Sequence, residues 1–234
     1  MKNGTKKIHT YIHIGAHKTG TTAIQEYLRV NREKFISDGL YFPDSIVGID
    51  YPSHYILNVY ALDKNRRSTM KDKLLSTKKP EYFKKLKRNL TGDIARHYRK
   101  AVDLGCKEIL WTNEGLYLLN SIREYKILYR LFAKHSTGIT CVCCLRDKET
   151  YKKSYIRQLN KQGTNLSDEP DSYKYLQDDS WLFDYARKKD LLRSVFDEVI
   201  ILDYDPQDMV KTFFDRLGYA TTNTSQFRIN VTRY

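Results

Sequence analysis

The sequence has no apolar run of membrane-spanning length, and its N-terminus, MKNGTKKIHTYIHIG, carries basic residues without the apolar core of a secretory signal. A cytoplasmic protein with no membrane span is expected. Cysteine is scarce, with four residues at 106, 141, 143 and 144, three of them inside one apolar stretch. Neighbours in a strand rarely pair, so neither a disulfide scaffold nor a zinc site is supported. The thiols read as small buried hydrophobes in a reducing compartment, Cys141 and Cys143 on one strand face and Cys144 on the other. Acidic residues are also in deficit, 28 Asp and Glu against 41 Lys and Arg, for a formal net charge of +13. Such a surface attracts anions. Zinc-ligand spacing, an RNP motif and a basic zipper are all missing, so nucleic acid is not the expected partner. Most lysines, as in Lys71-Asp72-Lys73 and the segment Tyr82 to Arg88, are expected only to solvate helices. Repeats and low-complexity tracts are absent, and 234 residues suit one α/β domain with a large core rather than two.

What is present begins with IHIGAHKTGTTAIQ, residues 12–25, which reads as a buried strand, a glycine-bounded turn and a helix start in succession. Gly15 and Gly20 allow a tight turn, the N–H groups of Thr21 and Thr22 point outward at the helix start, and Lys18 adds positive charge. A phosphate or sulfate fits there. In the nucleotide-binding P-loop, G-x-x-x-x-G-K-[ST], lysine follows the second glycine. Here Thr21 stands at that position, Thr22 at the Ser/Thr position, and the lysine has moved inside the loop to 18. That shift argues against an ATP-dependent kinase.

Periodicity supplies the frame. Strands are expected at 8–14, 108–112, 139–145 and 199–202, with a short extended piece at 40–42. Helices are expected at 21–37, 81–104, 114–133, after Arg146 to about 161, at 181–196 and at 206–217. Residues 44–80 form a loop-rich insert with a helix near 55–62, and 162–179, rich in Gly, Asn, Ser and Asp, is expected to be a mobile loop. The alternation predicts an α/β fold, a mostly parallel sheet with helices on both faces, in a single domain spanning 1–234.

His17-Lys18-Thr19-Gly20-Thr21-Thr22 resembles the 5′-phosphosulfate loop of the sulfotransferases, which use 3′-phosphoadenosine-5′-phosphosulfate (PAPS) as donor. A second segment extends the resemblance. In Thr140–Ser154 an apolar strand ends at Arg146, and Ser154 follows eight positions later on a helix, similar to the family's 3′-phosphate pair. The strand end Ile109–Glu114 and the late block VIILDYD…FFDRLGY also look like bacterial sulfotransferases, whereas residues 221–234 lack the Gly-x-x-Gly-x-Trp-Lys-like closing loop.

The resemblance implies a P-loop-like sulfotransferase fold and a soluble, bacterial-type enzyme. Gly15, His17, Lys18, Thr19, Gly20, Thr21, Thr22, Arg146 and Ser154 would hold PAPS, and 3′-phosphoadenosine-5′-phosphate (PAP) would be the product. The acceptor would be a hydroxyl or amine, on a carbohydrate or glycolipid. No metal is required in principle, because cationic side chains take magnesium's role. For the base the first candidate is His54, flanked by Tyr51 and Tyr55, and the second is Glu114 at a strand end. The rivals are a P-loop kinase needing magnesium and a non-catalytic polyanion-binding module.

Overall fold

The computed structural model describes residues 6–50 and 53–227. Five parallel strands, β1 (Ile8–His13), β2 (Leu40–Tyr41), β5 (Glu108–Thr112), β6 (Ser136–Leu145) and β7 (Glu198–Asp203), form one sheet in the order β2-β5-β1-β6-β7. A separate antiparallel ribbon pairs β3 (Ser45–Ile46) with β4 (Ile49–Asp50). Parallel strands covered on both faces read as near-continuous apolar runs, and these do. Ile109, Trp111, Cys141 and Cys143 face one layer, while Leu110, Val142 and Cys144 face the other, so the three thiols divide as their spacing predicts. All four thiols are free and buried.

The second layer holds α1 (Thr21–Val30), α2 (Arg32–Ser37) and α9 (Met209–Arg216), packed through Tyr27, Phe35, Phe213 and Phe214. The first holds α3 (Ile56–Ala61), α4 (Thr69–Thr77), α5 (Pro80–Asp103), α6 (Ile122–Ala133), α7 (Lys148–Lys161) and α8 (Tyr185–Arg193). The α/β class with helices on both faces is thus as expected.

Three stretches differ from the sequence expectation. The helix over 21–37 breaks at Asn31, whose side-chain amide donates to the Tyr27 carbonyl at 2.9 Å. The helix over 114–133 starts as a 3-10 turn, Glu114–Leu118, and restarts at α6, where the Ser121 hydroxyl accepts from the Glu124 N–H. Residues 162–179, expected to be mobile, are tied down. Tyr173 is buried and donates its hydroxyl to Asp72 at 3.0 Å, and Lys148 donates to the Asp178 carbonyl at 2.8 Å. Polar composition suggested a free loop, but Tyr173, Leu176 and Trp181 bury enough apolar surface to hold it.

The insert also carries more structure than its composition suggests. Lys71, one of the lysines expected only to solvate a helix, is buried and caps three carbonyls, those of Asp63, Lys64 and Arg66. Beside it Glu124, fully buried, accepts from Arg66 at 2.7 Å and from the N–H groups of Asp63 and Asn120. Among the described residues no helix is long and apolar enough to cross a membrane.

Candidate active site

The carboxyl ends of β1, β5, β6 and β7 lie side by side, the edge where open parallel sheets hold their ligands. The turn after β1 is built into that edge. Ala16 N–H donates to the Cys144 carbonyl at 2.7 Å, and Cys144 N–H to the Gly15 carbonyl at 2.5 Å. Gly15 has φ +87°, and a Cβ there would lie 2.9 Å from the Glu114 Cα, so both the backbone angle and the close approach require glycine. Lys18 takes φ +63°, a left-handed conformation costly for a non-glycine residue. The buried Thr19 hydroxyl donates to the Ala16 carbonyl at 2.7 Å and staples the turn.

Gly20 forms the N-cap of α1 with φ +81° and has no side chain with which to cap it. By contrast α4, α6, α7, α8 and α9 each start on a Ser or Asp whose side chain accepts from the first turn. The first turn of α1 also lacks an acidic residue. Its N–H groups and positive dipole end are therefore left for an external anion. The buried Thr21 hydroxyl has no partner, while Thr22 is exposed.

Arg146, at the end of β6, reaches back to this turn. Its Nη1 donates to the Lys18 carbonyl at 3.2 Å and its Nε to the Thr150 hydroxyl at 3.1 Å, and its guanidinium lies 4.8 Å from the centre of the Tyr204 ring. Thr150 and Ser154 are four residues apart on α7 and share a face. The two sequence motifs, 128 residues apart at Lys18 and Arg146, thus meet in space. Thr150 and Tyr204, which orient the guanidinium, had no sequence signal beyond their places beside it. Burial, with the like charges of Lys161 and Arg146, lowers the pKa of Lys18. Lys161 closes α7 and was not singled out by any motif.

The two base candidates separate sharply. His54 is fully buried, accepts from the Thr112 N–H at 3.0 Å through Nδ1 and donates from Nε2 to the Pro43 carbonyl at 3.0 Å. Its ring packs on Trp111 and Phe42. Both nitrogens are engaged, so the ring clips the insert to the end of β5 and has no lone pair for a substrate proton. Tyr51 lies outside the described residues. Glu114 instead touches Gly15 of the turn and accepts a long hydrogen bond, 3.5 Å, from Gln25 of α1. Desolvation raises its pKa. His17 packs its ring on Tyr155, centroids 5.1 Å apart, and its buried Nδ1 is unpartnered. Among the described residues no cluster of three His, Cys, Asp or Glu side chains is placed to hold a metal.

Burial lowers the pKa of His13 to about 3, of His17 to about 4 and of His54 to about 4. The unfolded chain takes up these protons below pH 6.5, whereas the folded chain refuses them until about pH 4. Their contribution is present above 6.5 and is lost as pH falls through that window. Each histidine is expected to cost about 2 kcal/mol of stability between pH 7 and pH 5. Urea unfolding at the two values checks this, and His54→Asn should flatten the slope.

No protein-family model matches the chain, and no curated protein matches it in sequence. Its structure is similar to that of a sulfotransferase from Alicyclobacillus acidocaldarius, with a TM-score of 0.53 and 14% identity over 94% of this chain and 85% of that one. It is also similar to the sulfotransferase domain of the curacin biosynthetic pathway, with a TM-score of 0.50 and 9% identity over 96% of this chain and 78% of that domain. By its architecture the chain has the sulfotransferase fold.

Proposed function

We propose that the chain is a PAPS-dependent sulfotransferase acting on a hydroxyl or amine, on a carbohydrate or glycolipid acceptor. The observation that carries this reading is the hydrogen bond from Arg146 to the Lys18 carbonyl, which joins an uncapped helix start to a second cationic group. The donor set fits a nucleotide with anions at both ends. Gly20, Thr21 and Thr22 offer N–H groups and hydroxyls to the 5′-phosphosulfate, with Gly15, His17 and Thr19 shaping the turn. Arg146 and Ser154 offer a planar guanidinium and a hydroxyl to the 3′-phosphate.

PAPS supplies a sulfuryl group on a phosphate leaving group. Lys18 holds positive charge where the leaving oxygen gains negative charge, as the acceptor oxygen or nitrogen bonds to sulfur and the S–O bond to phosphate breaks. Glu114, rather than His54, takes the acceptor's proton, since its backbone closes on the turn, its carboxylate meets Gln25 of α1 and burial has raised its basicity. Lys18→Ala is expected to lower turnover a few hundredfold, about 3 kcal/mol of transition-state stabilisation. Because Lys18 is repelled by Arg146 and Lys161, the same variant should match or exceed the wild type in thermal stability, read by calorimetric melting.

The test of the function is calorimetric titration with adenosine 3′,5′-bisphosphate, AMP and ATP–Mg. Metal-independent binding of the bisphosphate, tighter than AMP and weakened about a hundredfold by Arg146→Ala, is expected from losing a charge-assisted pair. A preference for ATP–Mg would favour a kinase, and indifference to the 3′-phosphate a polyanion-binding module. Either result sinks the reading.

A further inference from the structure

The strongest unassigned feature is the turn joining α4 to α5. Residues 73–88 hold seven cations, Lys73, Lys78, Lys79, Lys84, Lys85, Lys87 and Arg88, against one carboxylate, Glu81. All seven are exposed, and among the described residues none makes an ion pair. On α5, Lys84, Lys85 and Arg88 lie opposite the buried Leu86 and Leu90. The patch is more than a solvated charge run, because it contains apolar surface. Leu75, in the last turns of α4, is 42% exposed. Three residues on, the Lys78 ammonium lies 5.6 Å from the Tyr82 ring centre, and Tyr82 meets Phe83 edge-on, both rings half-buried.

The topology sets where this patch points. α5 ends at Asp103, next to the amino end of β5, and so runs antiparallel to that strand. With 24 residues it is about 36 Å long, against about 17 Å for the five residues of β5. Its first turns, with the α4 junction, therefore stand beyond the carboxyl edge of the sheet, the edge that carries Lys18, Glu114 and Arg146.

We propose that this α4–α5 turn docks the protein on an anionic phospholipid bilayer, with the catalytic edge facing the membrane surface. Seven unpaired cations match the negative potential of such a surface, where each Lys or Arg is worth about fivefold in partitioning. Leu75, Tyr82 and Phe83 supply the shallow apolar contact that distinguishes lipid binding from attachment to a soluble polyanion. The arrangement presents a membrane-borne acceptor to the site.

The test is co-sedimentation of the whole chain with phosphatidylcholine vesicles, with and without phosphatidylglycerol, alongside retention on heparin. Binding to the phosphatidylglycerol vesicles alone, reversed by high salt, is expected. Lys84→Gln with Lys85→Gln should lower partitioning about thirtyfold, and Leu75→Ser a few fold, with heparin retention unchanged by Leu75→Ser. These positions are exposed, so melting temperatures should stay at the wild-type value and exclude misfolding. Failure to bind the anionic vesicles overturns the proposal. So does binding that survives the Lys84/Lys85 double variant, or that ignores Leu75→Ser and so marks a polyanion surface. None of these readouts depends on the PAPS assignment.

Discussion

Glu114→Gln is expected to lower turnover on the order of a thousandfold, within the usual range for removing a positioned general base. The Glu114 backbone closes on Gly15 of the anion turn, where an added Cβ would lie 2.9 Å from the Glu114 Cα, and its carboxylate accepts from Gln25 of α1, the helix that starts at that turn. Its raised pKa adds a second signature. Below that pKa the carboxyl is protonated and accepts nothing, so the wild-type rate should fall at acid pH, above the usual carboxylate range. The variant's residual rate should lack this limb. Stability moves the opposite way to rate. A folded-state pKa above the unfolded one favours the folded protein at low pH, an advantage lost as pH rises through the folded value. Above the folded pKa the buried charge is a net cost, which glutamine removes. A pH–rate profile and a urea titration on the same variant test both. A variant with normal turnover, or one that loses rate only in step with stability, would remove Glu114 as the base.

The second large effect concerns folding. Glu124→Ala is expected to destabilise the chain by about 3–5 kcal/mol, because it strips the partner from a buried ion pair. Three groups lose their acceptor together: the Arg66 guanidinium and the N–H groups of Asp63 and Asn120. Arg66 also lies 4.9 Å from the Trp181 ring centre, so the carboxylate indirectly holds the insert against the segment before α8. Lys188 completes the same interior. It is fully buried, donates to the Tyr117 and Leu119 carbonyls at 3.0 and 2.6 Å, and has its pKa lowered by burial to about 7. Chemical unfolding of Glu124→Ala measures the loss, and a change below about 1 kcal/mol would show that the pair is not structural.

Lys188 and Glu124 illustrate what local sequence hides. A lysine in Arg187-Lys188-Lys189 looks like every other solvated helix lysine, and its burial depends on carbonyls some seventy residues away. His54 misled for a related reason. Its aromatic neighbours in sequence suggested a binding surface, while its real partners are the Thr112 N–H and the Pro43 carbonyl, one of them supplied by another strand. The motifs, by contrast, were legible because each acts over a short stretch of chain. The left-handed angles at Gly15 and Gly20, the uncapped start of α1 and the short step from Arg146 at the strand end to Ser154 on the next helix are local features that residue type and spacing dictate.

The sequence by itself therefore determined the strand and helix order, the two-faced apolar strands and the anion turn, since period and glycine placement act on neighbouring residues. Only the tertiary structure decided which distant groups meet. It brought Arg146 to Lys18 and Glu114 to Gly15, turned His54 and Lys188 inward, and anchored residues 162–179, because burial and long-range hydrogen bonding are properties of the packed chain.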